Sequence, residues 1–180
     1  MKKIKFYGAG GQGIVTAAKI LCYSVCIHEG QSAKTIPAYG HERRGAPVFA
    51  DVIIDNKPVL LNSFVYVPDM VAVFDPFIEQ KGINLKEQSW SDALIVINDS
   101  NPPQDYLEYY QNVYYVNATQ IALTRSGNPI PNLAMLGALA RTGLVTLNSL
   151  EKSVVDFFGN REKDINLAIL KEAYDATRKM

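Results

Sequence analysis

Apolar residues come first in short runs and later at helical spacing, and that change of period lays out the chain. Ile4, Phe6 and Tyr7 predict a first buried strand. From Gln12 to Glu29, Ile14, Ala17, Ala18, Leu21 and Val25 fall on one helical face. Gly30 is placed to end that helix, and His28 sits where a helix C-terminus favours positive charge. Ala33–Ile36 predicts a second strand, giving a strand–loop–helix–strand opening. Val48–Ile54 and Pro58–Leu61 read as the arms of an inserted hairpin turning at Asp55-Asn56-Lys57. Met70–Phe74, Ala93–Ile97 and Val113–Val116 predict three more buried strands, ending at Asp75-Pro76, Asn98-Asp99 and Asn117. Short helices or loops lie between them, one rich in tyrosine (Tyr106, Tyr109, Tyr110). The last third is helical. Asn132 is placed to cap a helix through Leu133, Leu136, Leu139 and Ala140 that stops at Gly143. Leu150, Val154, Val155, Phe157 and Phe158 form another, closed by Gly159, and Ile165 to Tyr174 supports a terminal amphipathic helix. Without a repeat, low-complexity tract or linker, this predicts one α/β domain over residues 1–180 with a helical C-terminal third.

Two stretches break the pattern. In Gly8-Ala9-Gly10-Gly11-Gln12-Gly13 four glycines fall within six positions, between a strand and a helix. A glycine turn that opens a helix aims backbone N–H groups at one point, which suits an anion. Gly8, Gly10 and Gly13 fit the dinucleotide fingerprint, but that reading needs an acidic residue at the tip of the second strand, where Lys34-Thr35-Ile36-Pro37 stands. A phosphate loop is also excluded, because Ile14-Val15 occupy the places of Lys and Ser/Thr. The turn therefore either meets the phosphate of another ligand or only permits tight packing, with Gln12 as the side chain able both to donate and to accept. The second stretch, Pro37 to Pro47, holds Tyr39, His41, Glu42, Arg43 and Arg44 between Gly40 and Gly45 and predicts a loop. Adjacent arginines grip phosphate or carboxylate, or form salt bridges at a subunit interface.

Composition narrows the chemistry. Lys+Arg and Asp+Glu both number 18, so zero net charge recommends neither nucleic acid nor an anionic membrane as partner. Met1-Lys2-Lys3 is followed too soon by glycines to open a signal peptide, and no apolar run nears the ~20 residues of a membrane span. The two cysteines, Cys22 and Cys26, lie on a predicted helix, which suits core packing in a reducing cytoplasm. Two thiols cannot build a four-thiolate iron–sulfur cluster. Neither G-x-S-x-G nor H-E-x-x-H occurs, and no residue set amounts to a complete catalytic apparatus.

Whole motifs add what spacing cannot. The opening Gly8 to Leu21, the segment Tyr39-Gly40-His41-Glu42-Arg43-Arg44-Gly45-Ala46-Pro47-Val48, the pairs Pro68-Asp69 and Asp75-Pro76, and the helix from Asn132 to Leu144 occur in this order. Together they resemble the gamma subunit, or gamma domain, of the 2-oxoacid:ferredoxin oxidoreductases of pyruvate/ketoisovalerate type. The Glu-Arg-Arg-Gly-Ala-Pro run is the more specific motif and is unlike the α-ketoglutarate branch. The resemblance implies a three-layer α/β/α fold, which joined to the residue pattern predicts a mostly parallel sheet with an inserted β-hairpin. It implies a subunit, inactive alone, of an enzyme that converts a 2-oxoacid, pyruvate above all, into acyl-CoA, CO2 and reduced ferredoxin. Thiamine diphosphate, [4Fe–4S] clusters and coenzyme A then belong to the holoenzyme, on or shared with alpha, beta and delta-type subunits, and none is expected on this chain alone. Gly8, Gly10, Gly11, Gln12, Gly13, Arg43 and Arg44 are the residues that would shape the coenzyme A approach or the assembly. Two other readings stand beside it: a stand-alone nucleotide- or coenzyme A-binding module, and a purely structural scaffold of the same complex.

Overall fold

The structure, a computed structural model, describes residues 1–38, 45–160 and 162–180. Seven strands build one sheet: β1 (Lys2–Ala9), β2 (Ser32–Ala38), β3 (Pro47–Asp55), β4 (Met70–Val73), β5 (Leu94–Asn98), β6 (Asn112–Val116) and β7 (Arg178–Lys179). Their order across the sheet is β2-β3-β1-β4-β5-β6-β7. β1, β4, β5 and β6 are mutually parallel, whereas β3 runs antiparallel to both β1 and β2, and β7 antiparallel to β6. The apolar runs that mark β4 and β5 are those of strands covered on both faces.

The two covers are unequal. One face carries α1 (Ile14–Tyr23), α4 (Ala118–Ser126), α5 (Asn132–Arg141), α6 (Leu147–Phe158) and α7 (Lys163–Ala176). Their apolar stripes meet Ile4, Phe6, Ala50, Val52, Ala72 and Val96 from alternate strand positions. Among the described residues the other face carries the short α2 (Leu85–Gln88) and α3 (Gln104–Tyr109), whose Leu85 and Tyr106 cover Tyr7, Val71, Val73, Ile95 and Ile97, together with Ile78 ahead of a 3-10 turn. The fold is thus three layers, one thick and one thin. α1 does not stop at Tyr23 but continues as a π-helical turn, Ser24–His28, ahead of Gly30. His28 closes that turn 3.1 Å from Asp156 Oδ2 on α6.

The strand–loop–helix–strand opening is present, with its two strands separated in the sheet because β3 lies between β1 and β2. Two expectations from the sequence need correction. The antiparallel ribbon is β2 with β3, and Pro58–Leu61 is not a strand. Both edges of β3 are already paired, so no ladder is open to a third arm. Residues 58–67 instead cross the thin face as an irregular strap. Asn132 is the first residue of α5 rather than its cap, which is Pro131; the Asn132 Oδ1 accepts the Leu133 N–H at 2.8 Å. Among the described residues, no helix is long and apolar enough to cross a membrane.

Candidate functional site

The sheet order reverses at β1/β4, and in open α/β sheets ligands bind at such a switch point, beyond the strand C-termini. The glycine turn stands there, with neighbouring side chains packed closely against Gly8 and Gly13. A carbon added at Gly8 would lie 2.5 Å from Ile14 Cδ1, 2.7 Å from Gln12 Oε1 and 2.9 Å from Phe74 Cβ. Gly13 precedes α1 at φ +72°, and a carbon there would lie 2.7 Å from Asn132 Nδ2. Gly13 therefore serves two demands, a left-handed backbone and the approach of the α5 N-terminus.

Several of the turn's donors are engaged within the chain. Gln12 Oε1 accepts the Ala9 N–H at 2.8 Å, and the Gln12 N–H reaches Ala9 O at 3.1 Å. The Gly10 N–H donates to Ala46 O at 2.9 Å, and the Gly45 N–H to Gly10 O at 3.2 Å. The turn is thereby tied to the residues that follow Arg44 in sequence. Tyr39, His41, Glu42, Arg43 and Arg44 themselves lie outside the described residues. Of the predicted site residues, the structure brings Gly8, Gly10, Gly11, Gln12 and Gly13 together.

The polar residues that end the central strands serve the scaffold. Asp75 is buried and accepts the Phe77 N–H at 3.1 Å and Lys81 Nζ at 2.5 Å. Asn98 Nδ2 donates to Phe74 O at 2.7 Å and to Thr119 Oγ1 at 2.8 Å, and Asn98 Oδ1 accepts the Thr119 N–H at 3.1 Å. Asn117 caps α4 by accepting the Gln120 N–H at 3.0 Å. Cys22 and Cys26 are half-buried, and burial pushes the Cys22 thiol up to about 12, away from the thiolate that metal binding needs. Among the described residues, no three His, Cys, Asp or Glu side chains are placed to hold a metal ion.

Sequence reasoning missed one constellation on the thin face. Lys5, Asp51 and Ile36 lie in one cross-strand row of β1, β3 and β2. Asp51 Oδ2 accepts the Val65 N–H and Lys5 Nζ donates to Val65 O, both at 2.7 Å, so the strap is pinned by both polar groups of one residue. Burial pushes the Asp51 carboxyl above the usual carboxylate range, against the opposing pull of the Val65 N–H and Lys5. The signal was available: a carboxylate at an inward position of the apolar run Val48–Ile54, opposite a lysine flanked by Ile4 and Phe6.

Comparison with known proteins places these features. The profile of the family described as pyruvate ferredoxin/flavodoxin oxidoreductase matches residues 3–176. The chain is 37% identical over 182 residues to the pyruvate/ketoisovalerate oxidoreductases common subunit gamma of Pyrococcus furiosus, covering 98% of this chain and 97% of that one. It is 39% identical over 176 residues to pyruvate synthase subunit PorC of Methanocaldococcus jannaschii, covering 97% and 96%. The crystal structure of pyruvate oxidoreductase subunit PORC from Thermotoga maritima superposes with a TM-score of 0.84 at 29% identity, covering 99% of each chain. With the motifs, the sheet order and these matches in agreement from end to end, the chain belongs to the pyruvate ferredoxin/flavodoxin oxidoreductase family, as a chain of its gamma, or PorC, type.

Proposed function

We propose that residues 1–180 work as one gamma-type domain, the cytoplasmic gamma subunit of a 2-oxoacid:ferredoxin oxidoreductase whose substrate is pyruvate. The end-to-end match to chains named as gamma and PorC subunits carries this reading. Thiamine diphosphate and [4Fe–4S] clusters, on alpha, beta and delta-type partners, supply the decarboxylation and the electron path to ferredoxin. This chain's two cysteines do not fit a four-thiolate cluster. Nor do the Ala9 and Gly10 amides, already bonded within the chain, fit a phosphate in this conformation.

The chain's own contribution is to hold and orient. The glycine turn of Gly8, Gly10, Gly11, Gln12 and Gly13 clamps Gly45 and Ala46, and so sets where the stretch carrying Arg43 and Arg44 re-enters the fold. Those guanidiniums then meet the phosphates of coenzyme A, fixed positive charge against fixed negative charge. The test is the double substitution Arg43→Ala/Arg44→Ala in the assembled enzyme. The expected result is a higher KM for coenzyme A with the subunits still together. Unchanged coenzyme A kinetics with a dissociated complex would assign the arginines to a subunit interface instead.

A further inference from the structure

Between the strap and the sheet lies a cavity of about 270 Å³. Ile36, Ala38 and Phe49 form its floor, Phe64 and Tyr66 its solvent side, and Lys5 and Asp51 its polar end. It is smaller than the ~300–1,000 Å³ of cofactor and drug sites, and of a size for one side chain. Asp51 is 1% exposed. Its Oδ2 is bonded to Val65, but Oδ1 has no hydrogen-bond partner among the described residues and lies 3.6 Å from Lys5 Nζ, in ion-pair range only. A buried acceptor left this way costs free energy until a donor reaches it. A cationic guest is disfavoured, because Lys5 already brings its charge to the same carboxylate. The three aromatic walls favour a ring. Among the described lining residues the solvent side is apolar, with Tyr66 80% exposed and Phe64 half-exposed.

We propose that this cavity is a docking pocket for an aromatic side chain bearing a neutral donor, a tyrosine or tryptophan presented by another subunit of the oxidoreductase. The guest seats by turning Phe64 or Tyr66 aside, gives its O–H or N–H to Asp51 Oδ1, and leaves the Phe64 and Tyr66 rings covered by the surrounding partner surface. A buried aromatic anchor in a pocket, ringed by contacts that exclude water, is the usual centre of a strong interface. The inference rests on the subunit reading given above, but its test separates the two.

The probes are p-cresol, which carries the tyrosine ring and hydroxyl, and 4-methylanisole, in which the hydroxyl is capped. Titrated into the full chain, p-cresol is expected to shift the backbone amide signals of Asp51 and Val65, with 4-methylanisole at least about tenfold weaker, the worth of one hydrogen bond to a charged group. In the assembled enzyme the same site should no longer take p-cresol. Ala38→Phe, which fills the cavity floor, should weaken capture of the chain by its partner subunits at least about tenfold, as loss of an anchor does. Equal binding of both probes, no binding, or continued p-cresol binding in the assembled enzyme would each overturn the proposal; the last would make the pocket a small-molecule site. Should Ala38→Phe fail to fold by circular dichroism, the probe titrations on the wild-type chain and complex decide alone. A folded variant captured as tightly as wild type refutes the pocket and leaves the subunit reading standing. A wild-type chain that captures no partner refutes both.

Discussion

Asp51 shows how one residue sets a local balance. Its carboxylate sits in an apolar row with Ile36 and Val71, relieved among the described residues by Lys5 and the Val65 N–H, with Tyr7 on the neighbouring row. Burial dominates and raises its folded pKa above the unfolded value of about 3.9. Between those two values the folded state binds more protons than the unfolded one, so stability falls as pH climbs through that window and levels off above it. Unfolding in urea across this range, compared with Asp51→Asn, should show the wild-type excess declining with rising pH. Asparagine keeps an oxygen for Val65 and does not titrate. A difference that rises instead would mean that the Lys5 pairing outweighs burial. Gly13 makes the opposite case, since its backbone rather than its side chain is the constraint. Gly13→Ala meets both a left-handed φ and the Asn132 side chain at 2.7 Å. We expect a loss of about 1–3 kcal/mol, read as a lower urea midpoint at unchanged slope.

At the scale of elements, α5 and α7 form a close contact that depends on Gly137. A carbon there would lie 2.2 Å from the Leu170 carbonyl oxygen and 3.1 Å from the Tyr174 nitrogen, both backbone atoms that cannot rotate away. Alanine improves helix propensity by about 1 kcal/mol, but overpacking costs ~1–3 kcal/mol, and contact with backbone belongs at the upper end. Gly137→Ala should therefore destabilise on thermal unfolding, and a raised Tm would show the two helices parting without cost. The period of the sequence revealed α5, α6 and α7 because each buries one stripe, and β4, β5 and β6 because each is an apolar run too short for a helix. Sheet order was not legible in that way. β3 enters between β1 and β2 through pairing between residues far apart in sequence, while Pro58–Leu61 resembles a strand in composition yet finds no free ladder. The glycine turn was legible as a turn. Its closure by Gln12 and Asn132 was not, because Asn132 arrives from a helix that begins more than a hundred residues later.

For the whole molecule the decisive feature is the inequality of the two layers. Among the described residues five helices bury one face of the sheet, whereas the other is covered by α2, α3, a 3-10 turn and a strap that leaves Leu60, Leu61, Phe64, Tyr66 and Val67 wholly or partly in water. Phe77 and Trp90, also exposed, precede and follow α2, which covers that same thin face. Lone monomers rarely keep a large contiguous apolar surface in water, since each such side chain gains by leaving it. The isolated chain should accordingly bind the fluorescent probe ANS, and Leu60→Ser/Tyr66→Ser should lower that signal. Neither residue supports the packed core, so the urea midpoint should move little. Adding partner subunits should quench the wild-type signal in step with assembly. If ANS fluorescence persists undiminished in the complete enzyme, the thin face is not where the subunits meet, and the helical face must carry the contact instead.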